Sequence, residues 1–217
     1  MKASTSTESQ SIPFAGGILD RYRHVCAFFD SADEEQLVMA PFIREGLERG
    51  ERAVHIVDPE QRAEYVRRLE DEGIPVTAAE ARGQFELHTW DGTFFRKGSF
   101  DREDILALID EVLKQGASRG FPRTRLVGHA AHPKEARLGV DDWVEYESRV
   151  NNIAPKYSDP IICIYDASQF SGAEVMDILR IHPMVIIRGM LHENPFFVPP
   201  DEFLQELHER AATASGA

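Results

Sequence analysis

Residues 24–35, HVCAFFDSADEE, join an apolar strand directly to the start of a helix. The run HVCAFF is typical of a short buried strand, and Ser31 followed three residues later by Glu34 predicts a capping box at a helix N-terminus. Nucleotide-binding folds place a glycine-rich phosphate loop at such a joint. The joint here is acidic and contains no glycine, so the sequence predicts the strand and the helix but no phosphate site.

Strands and helices alternate along the rest of the chain. Five more apolar runs predict strands at residues 53–57, 85–90, 124–130, 161–166 and 184–189. Helical periodicity predicts helices between and after the strands, at residues 31–50, 59–73, 101–120, 141–154, 172–182 and 200–212. Pro41 is expected to kink or interrupt the first helix. This alternation predicts an α/β fold, with a mostly parallel sheet and helices on both faces.

The chain has 217 residues, which fits one large domain. Residues 1–20 are interpreted as a flexible polar tail, residues 21–212 as a single domain and residues 213–217 as a disordered end. The N-terminal segment has no apolar core of signal-peptide length, and no apolar run approaches the roughly 20 residues of a membrane-spanning helix. We therefore expect a cytoplasmic protein with no membrane partner.

Charge and cysteine content narrow the classes of function. The formal net charge is -13, which argues against direct binding of nucleic acid and against an anionic membrane surface, since both need clustered Lys and Arg. The two cysteines, Cys26 and Cys163, lie in apolar runs. We therefore expect both to be buried, reduced thiols, as is usual in cytoplasmic proteins.

Polar and aromatic side chains gather where the predicted strands end. Ligands of mostly parallel sheets bind at the carboxyl ends of the strands. The ligand-binding candidates at these ends are Asp30, Trp90, His129 and Asp166. His88 is a further candidate, because it shares one face of its strand with Trp90. Other roles stay open: Trp90 also suits a packing position, and His129 and the nearby His132 also suit solvated loop positions.

His24, Cys26 and Phe28 occupy alternate positions of the first predicted strand, so all three face the same side of the sheet. Three interpretations stay open. The side chains could pack in the core, where Cys26 would act as a small hydrophobic residue, or they could line a small-molecule pocket. Alternatively, His24 and Cys26 could begin a metal site with Cys163 as a third ligand. Two ligands on one strand are half a site, so we assign no metal.

Trp143, Tyr146 and Glu147 lie at positions i, i+3 and i+4 of a predicted helix and share one stripe. The stripe either packs the helix on the sheet, with Glu147 in a surface ion pair, or lines a binding site. A buried Glu147 would favour a binding site, because an unpaired carboxylate is costly inside a protein. The sequence contains no nucleophile elbow, Ser-His-Asp signature or dinucleotide-binding motif, so we expect neither enzyme activity nor a cofactor.

Residues 41–76, PFIREGLERGERAVHIVDPEQRAEYVRRLEDEGIPV, resemble the second strand–helix unit of RecA- and KaiC-type ATPases. The phosphate loop of those ATPases, G-x-x-x-x-G-K-[ST], does not occur in this sequence. The resemblance therefore implies a KaiC-like fold that has lost its P-loop.

The chain also resembles the MEDS family of sensory domains over about residues 22–200. The motifs that carry this resemblance are HVCAFF, FIREGLERGE, ASRGFPRTRLVGHA, YESRVNNI, CIYDASQF, HPMVI and ENPFFVPP. The family's proposed ligand-sensing element is a His-x-Cys-x-Phe motif, which matches His24, Cys26 and Phe28. The segment GHAAHP after the fourth strand, and Phe29 in place of a tyrosine, depart from the family pattern and concern ligand identity more than fold.

Membership of this family would imply a signal-transduction domain that binds a small molecule and signals to a separate protein. That partner would be a kinase, an anti-sigma-type factor or a transcription regulator, and a homodimer face is one route for the signal. Two other hypotheses stay open. One is a ligand-free interaction module derived from a KaiC-like ATPase fold, and the other is a metal- or thiol-dependent enzyme that uses His24 and Cys26.

Overall fold

The computed structural model describes residues 11–130 and 140–215. The strands in these segments are β1 (Ile12–Phe14), β2 (Gly17–Leu19), β3 (His24–Phe28), β4 (Arg52–Val57), β5 (Phe85–Thr89), β6 (Thr124–His129), β7 (Ile161–Tyr165), β8 (Met184–Ile187) and β9 (Met190–Glu193). The α-helices are α1 (Ala32–Glu48), α2 (Arg62–Asp71), α3 (Val76–Ala81), α4 (Arg102–Ser118), α5 (Val140–Val150), α6 (Gly172–Arg180) and α7 (Pro200–Ser215).

Seven strands form one sheet in the order β5-β4-β6-β7-β3-β8-β9. All neighbouring strands in it are parallel except β8 and β9, which pair antiparallel. Parallel neighbours end on the same edge of a sheet, so β3, β4, β6 and β7 all end at one edge. The predicted α/β fold with a mostly parallel sheet is confirmed.

Helices cover both faces of this sheet, and each face has its own apolar core. Residues of α1, α2, α3 and the β1–β2 hairpin pack on one face, against alternate strand residues such as Val25 and Ala27. Residues of α4, α5 and α6 pack on the opposite face, against Cys26, Cys163 and Tyr165. Strands buried on both sides explain why the sequence shows continuous apolar runs rather than an alternation of apolar and polar residues.

The joint between β3 and α1 is built much as the sequence predicts. The Ser31 hydroxyl accepts a hydrogen bond from the Glu34 backbone N–H at 3.2 Å. The Glu34 carboxylate accepts from the N–H of Asp30 at 2.7 Å, one residue earlier than in a capping box. Pro41 lies inside α1, and the helix is assigned without interruption from Ala32 to Glu48.

The prediction of a flexible tail up to residue 20 is wrong for the part that the structure describes. Strands β1 and β2 form a hairpin, in which Ile12, Phe14 and Leu19 are buried. The two turn residues, Ala15 and Gly16, both have positive φ angles, as the tight turn of a two-residue hairpin requires. The hairpin also bonds to the sheet edge, since the Leu191 N–H donates to the Ala15 carbonyl at 2.9 Å. Residues 1–10 lie outside the described residues.

The C-terminal boundary also needs correction. The sequence predicts a disordered end from residue 213, but α7 continues to Ser215, and Phe203 and Leu207 pack it against Val144 of α5 and Ile181. Besides the β1–β2 hairpin, the short helix α3 and the edge strand β9 were not predicted. No helix in the described part of the chain is long and apolar enough to cross a membrane.

Candidate functional site

A cleft of about 980 Å³ opens at the carboxyl edge of the sheet. It is lined by segments that follow β3, β4 and β7 and by residues at the ends of β5 and β6: residues 29–32, Glu35, residues 58–61, Trp90, Asp91, His129, Ala130 and residues 164–170. Four of the predicted rim residues lie in it, namely Asp30, Trp90, His129 and Asp166. The rule that ligands bind at strand ends therefore located a real cavity.

The charge of this cleft is strongly one-sided. Six carboxylates line it, and they belong to Asp30, Glu35, Asp58, Glu60, Asp91 and Asp166. Among the described residues that line the cleft, His129 is the one basic side chain and no Lys or Arg is present. A concentration of carboxylates repels anions and attracts cations, so the cleft suits a neutral or cationic ligand far better than a nucleoside triphosphate.

We expect no binding of Mg-ATP at physiological concentrations. The described residues of the cleft include neither a glycine-rich backbone loop nor a lysine for the phosphates, and their carboxylates oppose the charge of the phosphates. Isothermal titration calorimetry with magnesium present checks this, with a known P-loop ATPase in the same buffer as the positive control. A dissociation constant in the micromolar range would contradict the expectation.

His129 and Glu35 form an ion pair in the wall of the cleft. The His129 Nε2 lies 2.8 Å from the Glu35 Oε1, and the indole N–H of Trp90 donates to the His129 carbonyl at 3.0 Å. Burial alone would lower the pKa of His129, but the charge and hydrogen bond of Glu35, with help from Asp58, outweigh it and raise the pKa. The ion pair links the end of β6 to the first turn of α1. Because the pKa of His129 is raised, its imidazole stays protonated to a higher pH than that of a free histidine.

The raised pKa of His129 predicts a pH-dependent contribution to stability. A group whose pKa is raised on folding contributes stability that is complete below its unfolded pKa, 6.5, and is lost as pH rises through the folded pKa. The stability lost in His129→Gln should therefore be larger at about pH 6 than at about pH 9. Denaturant unfolding of both proteins at the two pH values measures this difference, and Glu35→Gln should show the same trend. Equal losses at both pH values would contradict it.

A second group of polar residues lies inside the protein, on the face of the sheet covered by α5. His24 of β3, Glu147 of α5, Cys163 of β7 and His182, which precedes β8, are all buried. Their ligand-type atoms all lie within 4.8 Å of one another. We call these four residues the buried tetrad. Four ionisable side chains in a fully buried site are unusual, because each charge must be compensated there.

Short contacts connect the members of the buried tetrad. The Glu147 Oε2 lies 3.3 Å from the His24 Nε2 and 3.7 Å from the His182 Nε2. The Cys163 Sγ lies 3.5 Å from both the His24 Nε2 and the Glu147 Oε2. Burial, reinforced by the charge of Glu147, raises the pKa of Cys163, whereas burial and the neighbouring His24 lower the pKa of His182.

A small void borders the buried tetrad. Its volume is about 20 Å³, which is enough for one water molecule. Its lining includes Glu147 and Cys163 of the tetrad, together with His129 and Ala130, which also line the cleft. The void and the cleft therefore share part of their lining.

Trp143 and Tyr146 hold α5 on the sheet beside this void. The Trp143 ring meets Phe94 with ring centroids 5.3 Å apart and Tyr146 with centroids 5.5 Å apart. Its indole N–H donates to the Tyr165 hydroxyl at 3.4 Å. The aromatic residues of the predicted stripe therefore pack the helix, and its acid, Glu147, is buried in the tetrad rather than in a surface ion pair.

The remaining residues predicted for the site are Cys26, Phe28 and His88. Cys26 and Phe28 share the His24 face, where the Cys26 thiol points to the Met184 carbonyl at 3.7 Å and Phe28 packs on Tyr165. Cys26 and Cys163 are both free and buried, as predicted. His88 lies inside the edge strand β5, with its Nε2 3.4 Å from the Glu86 carboxylate, and does not line the cleft. His132 lies outside the described residues.

His182 was missed by the sequence reasoning, although it lies in the motif HPMVI. Its position just before β8 places it next to the start of β3, because β8 and β3 are parallel neighbours. The available signal in the sequence was a histidine just before one predicted strand, together with His24 at the start of another.

The strand order and the position of the cleft define the class of protein: an α/β domain with a KaiC-like fold and an acidic cleft. A solved structure of a KaiC-like protein from Pyrococcus horikoshii OT3 is similar, with a TM-score of 0.54 and 19% identity, covering 79% of this chain and 74% of that one. At this identity the likeness concerns the fold alone.

The family follows from the sequence comparison. The model of the MEDS family, described as the methanogen/methylotroph, DcmR sensory domain, matches residues 23–183, and the chain belongs to this family. The transcriptional repressor DcmR of Methylorubrum extorquens is 22% identical over 169 residues, which cover 77% of this chain and 61% of the repressor. The chain thus spans about three-fifths of that relative's length. Family and relative together support a sensory or regulatory role.

Proposed function

We propose that this chain is a sensory domain that binds a small neutral or cationic molecule in the acidic cleft and passes the signal to a regulatory protein. The observation that carries the proposal is the lining of the cleft, which combines six carboxylates with one histidine where the loops after parallel strands meet. A cavity with a few convergent polar groups and an ionisable residue of shifted pKa is the expected form of a binding site. The membership of a sensory family supports the same reading.

The cleft can both hold a ligand and respond to it. Trp90 and Phe170 are partly exposed and line the cleft, and their rings can bind apolar parts of a molecule or stack on a cation. The lining belongs to loops that leave different strands, so a ligand that contacts several of them favours one arrangement of the loops. A ligand shifts such an equilibrium by its differential affinity for the two arrangements.

The output of the signal is proposed to lie in a partner protein. The relative named as a transcriptional repressor supports a transcription regulator as the partner, and a kinase or an anti-sigma-type factor would serve the same purpose. We propose that sensing takes place in the cytoplasm, that this chain catalyses no reaction, and that a homodimer is one form in which it meets its partner.

A thermal-shift screen tests the proposal directly. The library should contain small neutral and cationic molecules, such as alcohols, ketones, amines and quaternary ammonium ions, with nucleotides as the anionic set. Molecules that raise the melting temperature are then titrated by calorimetry into the wild type and Ala167→Trp. Ala167 is exposed and lines the cleft, so the larger side chain should occupy the cleft and reduce affinity at least tenfold without disturbing the core.

Ala78→Trp is the matched control for this variant. Ala78 is an exposed residue of α3 that does not line the cleft, so its replacement should leave the affinity unchanged. The proposal fails if the molecules that bind are mainly anionic, if both variants bind them equally, or if no neutral or cationic member of a broad library binds the wild type.

A further inference from the structure

The buried tetrad has the composition of a metal centre. Two imidazoles, one thiol and one carboxylate are the ligand types that hold zinc in proteins. They come from four separate parts of the chain, which the fold brings to one point. For an ion about 2.0–2.3 Å from each donor, neighbouring donor atoms of a tetrahedron lie about 3.3–3.6 Å apart. Three of the four contacts described above, at 3.3 and 3.5 Å, fall within this spacing, and the fourth, at 3.7 Å, is slightly longer. The other two donor pairs lie within 4.8 Å.

The hydrogen bond made by the Nδ1 of His182 leaves the lone pair of its Nε2 facing the other members of the buried tetrad. Its Nδ1 lies 2.8 Å from the carbonyl of Ile178, and because a carbonyl only accepts, Nδ1 must carry the proton. In the neutral ring the Nε2 is then an acceptor, and it points to the Glu147 carboxylate, which is also an acceptor. Within the described part of the chain, this fully buried Nε2 has no hydrogen-bond partner. Two acceptors face each other here, and a cation between them would satisfy both.

His24 is oriented in the same way. The side-chain N–H groups of Asn151 donate to the carbonyls of Ser148 and Ile181, at 3.0 and 2.7 Å. These two bonds fix the direction of the amide, so that its oxygen faces the His24 Nδ1 at 3.0 Å. Nδ1 must therefore donate, which leaves the His24 Nε2 free to bind a metal ion. Metal-binding histidines are usually held by such a hydrogen bond from the second ring nitrogen.

We propose that His24, Glu147, Cys163 and His182 bind a first-row divalent cation, with zinc as the favoured ion. The thiolate and the imidazoles select zinc over magnesium or calcium, which prefer oxygen ligands. Four protein ligands in a buried position are typical of a closed, structural centre rather than a catalytic one. The ion would tie α5 to β3, β7 and the segment before β8. This site is separate from the ligand cleft and does not depend on the proposed function.

Metal content and cobalt spectroscopy test this site. Untagged, reduced protein is prepared with zinc in the medium, and its zinc content is measured by mass spectrometry of the elements; about one ion per chain is expected. Replacing zinc by Co²⁺ should produce the near-ultraviolet charge-transfer band of a thiolate bound to cobalt and the intense visible bands of a tetrahedral ion. In competition with a chelator, His182→Asn and Cys163→Ser should weaken zinc binding more than about 100-fold, since even the loss of a supporting hydrogen bond costs 10–100-fold.

Matched variants separate this site from adventitious binding. Cys26→Ser alters the other buried thiol, which pairs in register with Cys163 on the neighbouring strand, and it should keep both the zinc and the cobalt–thiolate band. His208→Asn alters an exposed histidine of α7 and should also keep the zinc. If a variant does not fold, the zinc content and the cobalt spectrum of the wild type alone decide the outcome. A folded wild type that shows neither bound zinc nor a cobalt–thiolate band overturns the proposal, as does equal binding by Cys26→Ser and Cys163→Ser.

Discussion

Replacing Glu51 with alanine is expected to lower the free energy of unfolding by about 3–5 kcal/mol. The Glu51 carboxylate accepts hydrogen bonds from Nη1 of Arg123 at 2.8 Å and from Nε of Arg125 at 2.5 Å. All three side chains are buried. The variant removes the closest carboxylate from two buried guanidinium groups, and Arg125 keeps only a longer contact of 3.4 Å with the partly exposed Glu45. Removing one partner of a buried ion pair is far more costly than removing one of a surface pair. Urea unfolding followed by circular dichroism measures the loss.

Glu48→Ala is the control for this prediction. Glu48 is an exposed residue at the end of α1, so its removal should change stability by no more than about 0.5 kcal/mol. Glu51 lies next to the amino end of β4, at the edge of the sheet opposite the cleft. Glu51→Ala should therefore retain its response to molecules that bind the cleft, measured below its melting temperature. A loss of less than about 1 kcal/mol would show that the buried network contributes no more than an ordinary hydrogen bond.

Trp143→Ala is expected to be similarly destabilising, by about 3–5 kcal/mol. The side chain is almost completely buried, and its ring contacts Phe94, Phe100 and Tyr146. Truncation removes these contacts and leaves a cavity beside the existing void, and the cost rises with the size of the cavity that remains. It also leaves the Tyr165 hydroxyl without the indole donor. Thermal and urea unfolding both measure the effect.

Phe196→Ala is the matched control for Trp143→Ala. Phe196 is a large aromatic residue that is 55% exposed, so its truncation should cost about 0.5 kcal/mol or less. If Trp143→Ala is no more destabilising than this control, the aromatic residues of α5 do not hold the helix on the sheet. The buried tetrad would then lack the rigid support that a metal site needs.

The central strands were predictable because each is buried on both faces. A continuous apolar run such as HVCAFF or IICIYD has few alternatives in a chain that alternates strands with helices. The β1–β2 hairpin was not predictable in the same way, since its strands have three residues each and begin directly after a polar segment. Its only local signals were the alternation of Ile12 and Phe14 and the turn at Ala15 and Gly16.

The two sites differ in how much the sequence could reveal. The cleft follows from a rule about strand ends, which placed Asp30, Trp90, His129 and Asp166 together. His88 was chosen because it shares a strand face with Trp90, and it lies outside the cleft. The buried tetrad depends on tertiary packing. His24 and His182 could be singled out from their positions near strand starts, but nothing in the local sequence joins either of them to Glu147.

Mapping a bound molecule on the protein tests the central claim most directly. The molecule with the largest thermal shift in the screen is titrated into ¹⁵N-labelled protein, and the backbone amide signals are followed by two-dimensional NMR. The account predicts that the largest shift changes occur in residues 29–32, Glu35, 58–61, 90–91, 129–130 and 164–170, which line the cleft. Changes confined to the groove of α7 at Leu204 and His208, or to the exposed edge at Ile187 and Met190, would contradict it.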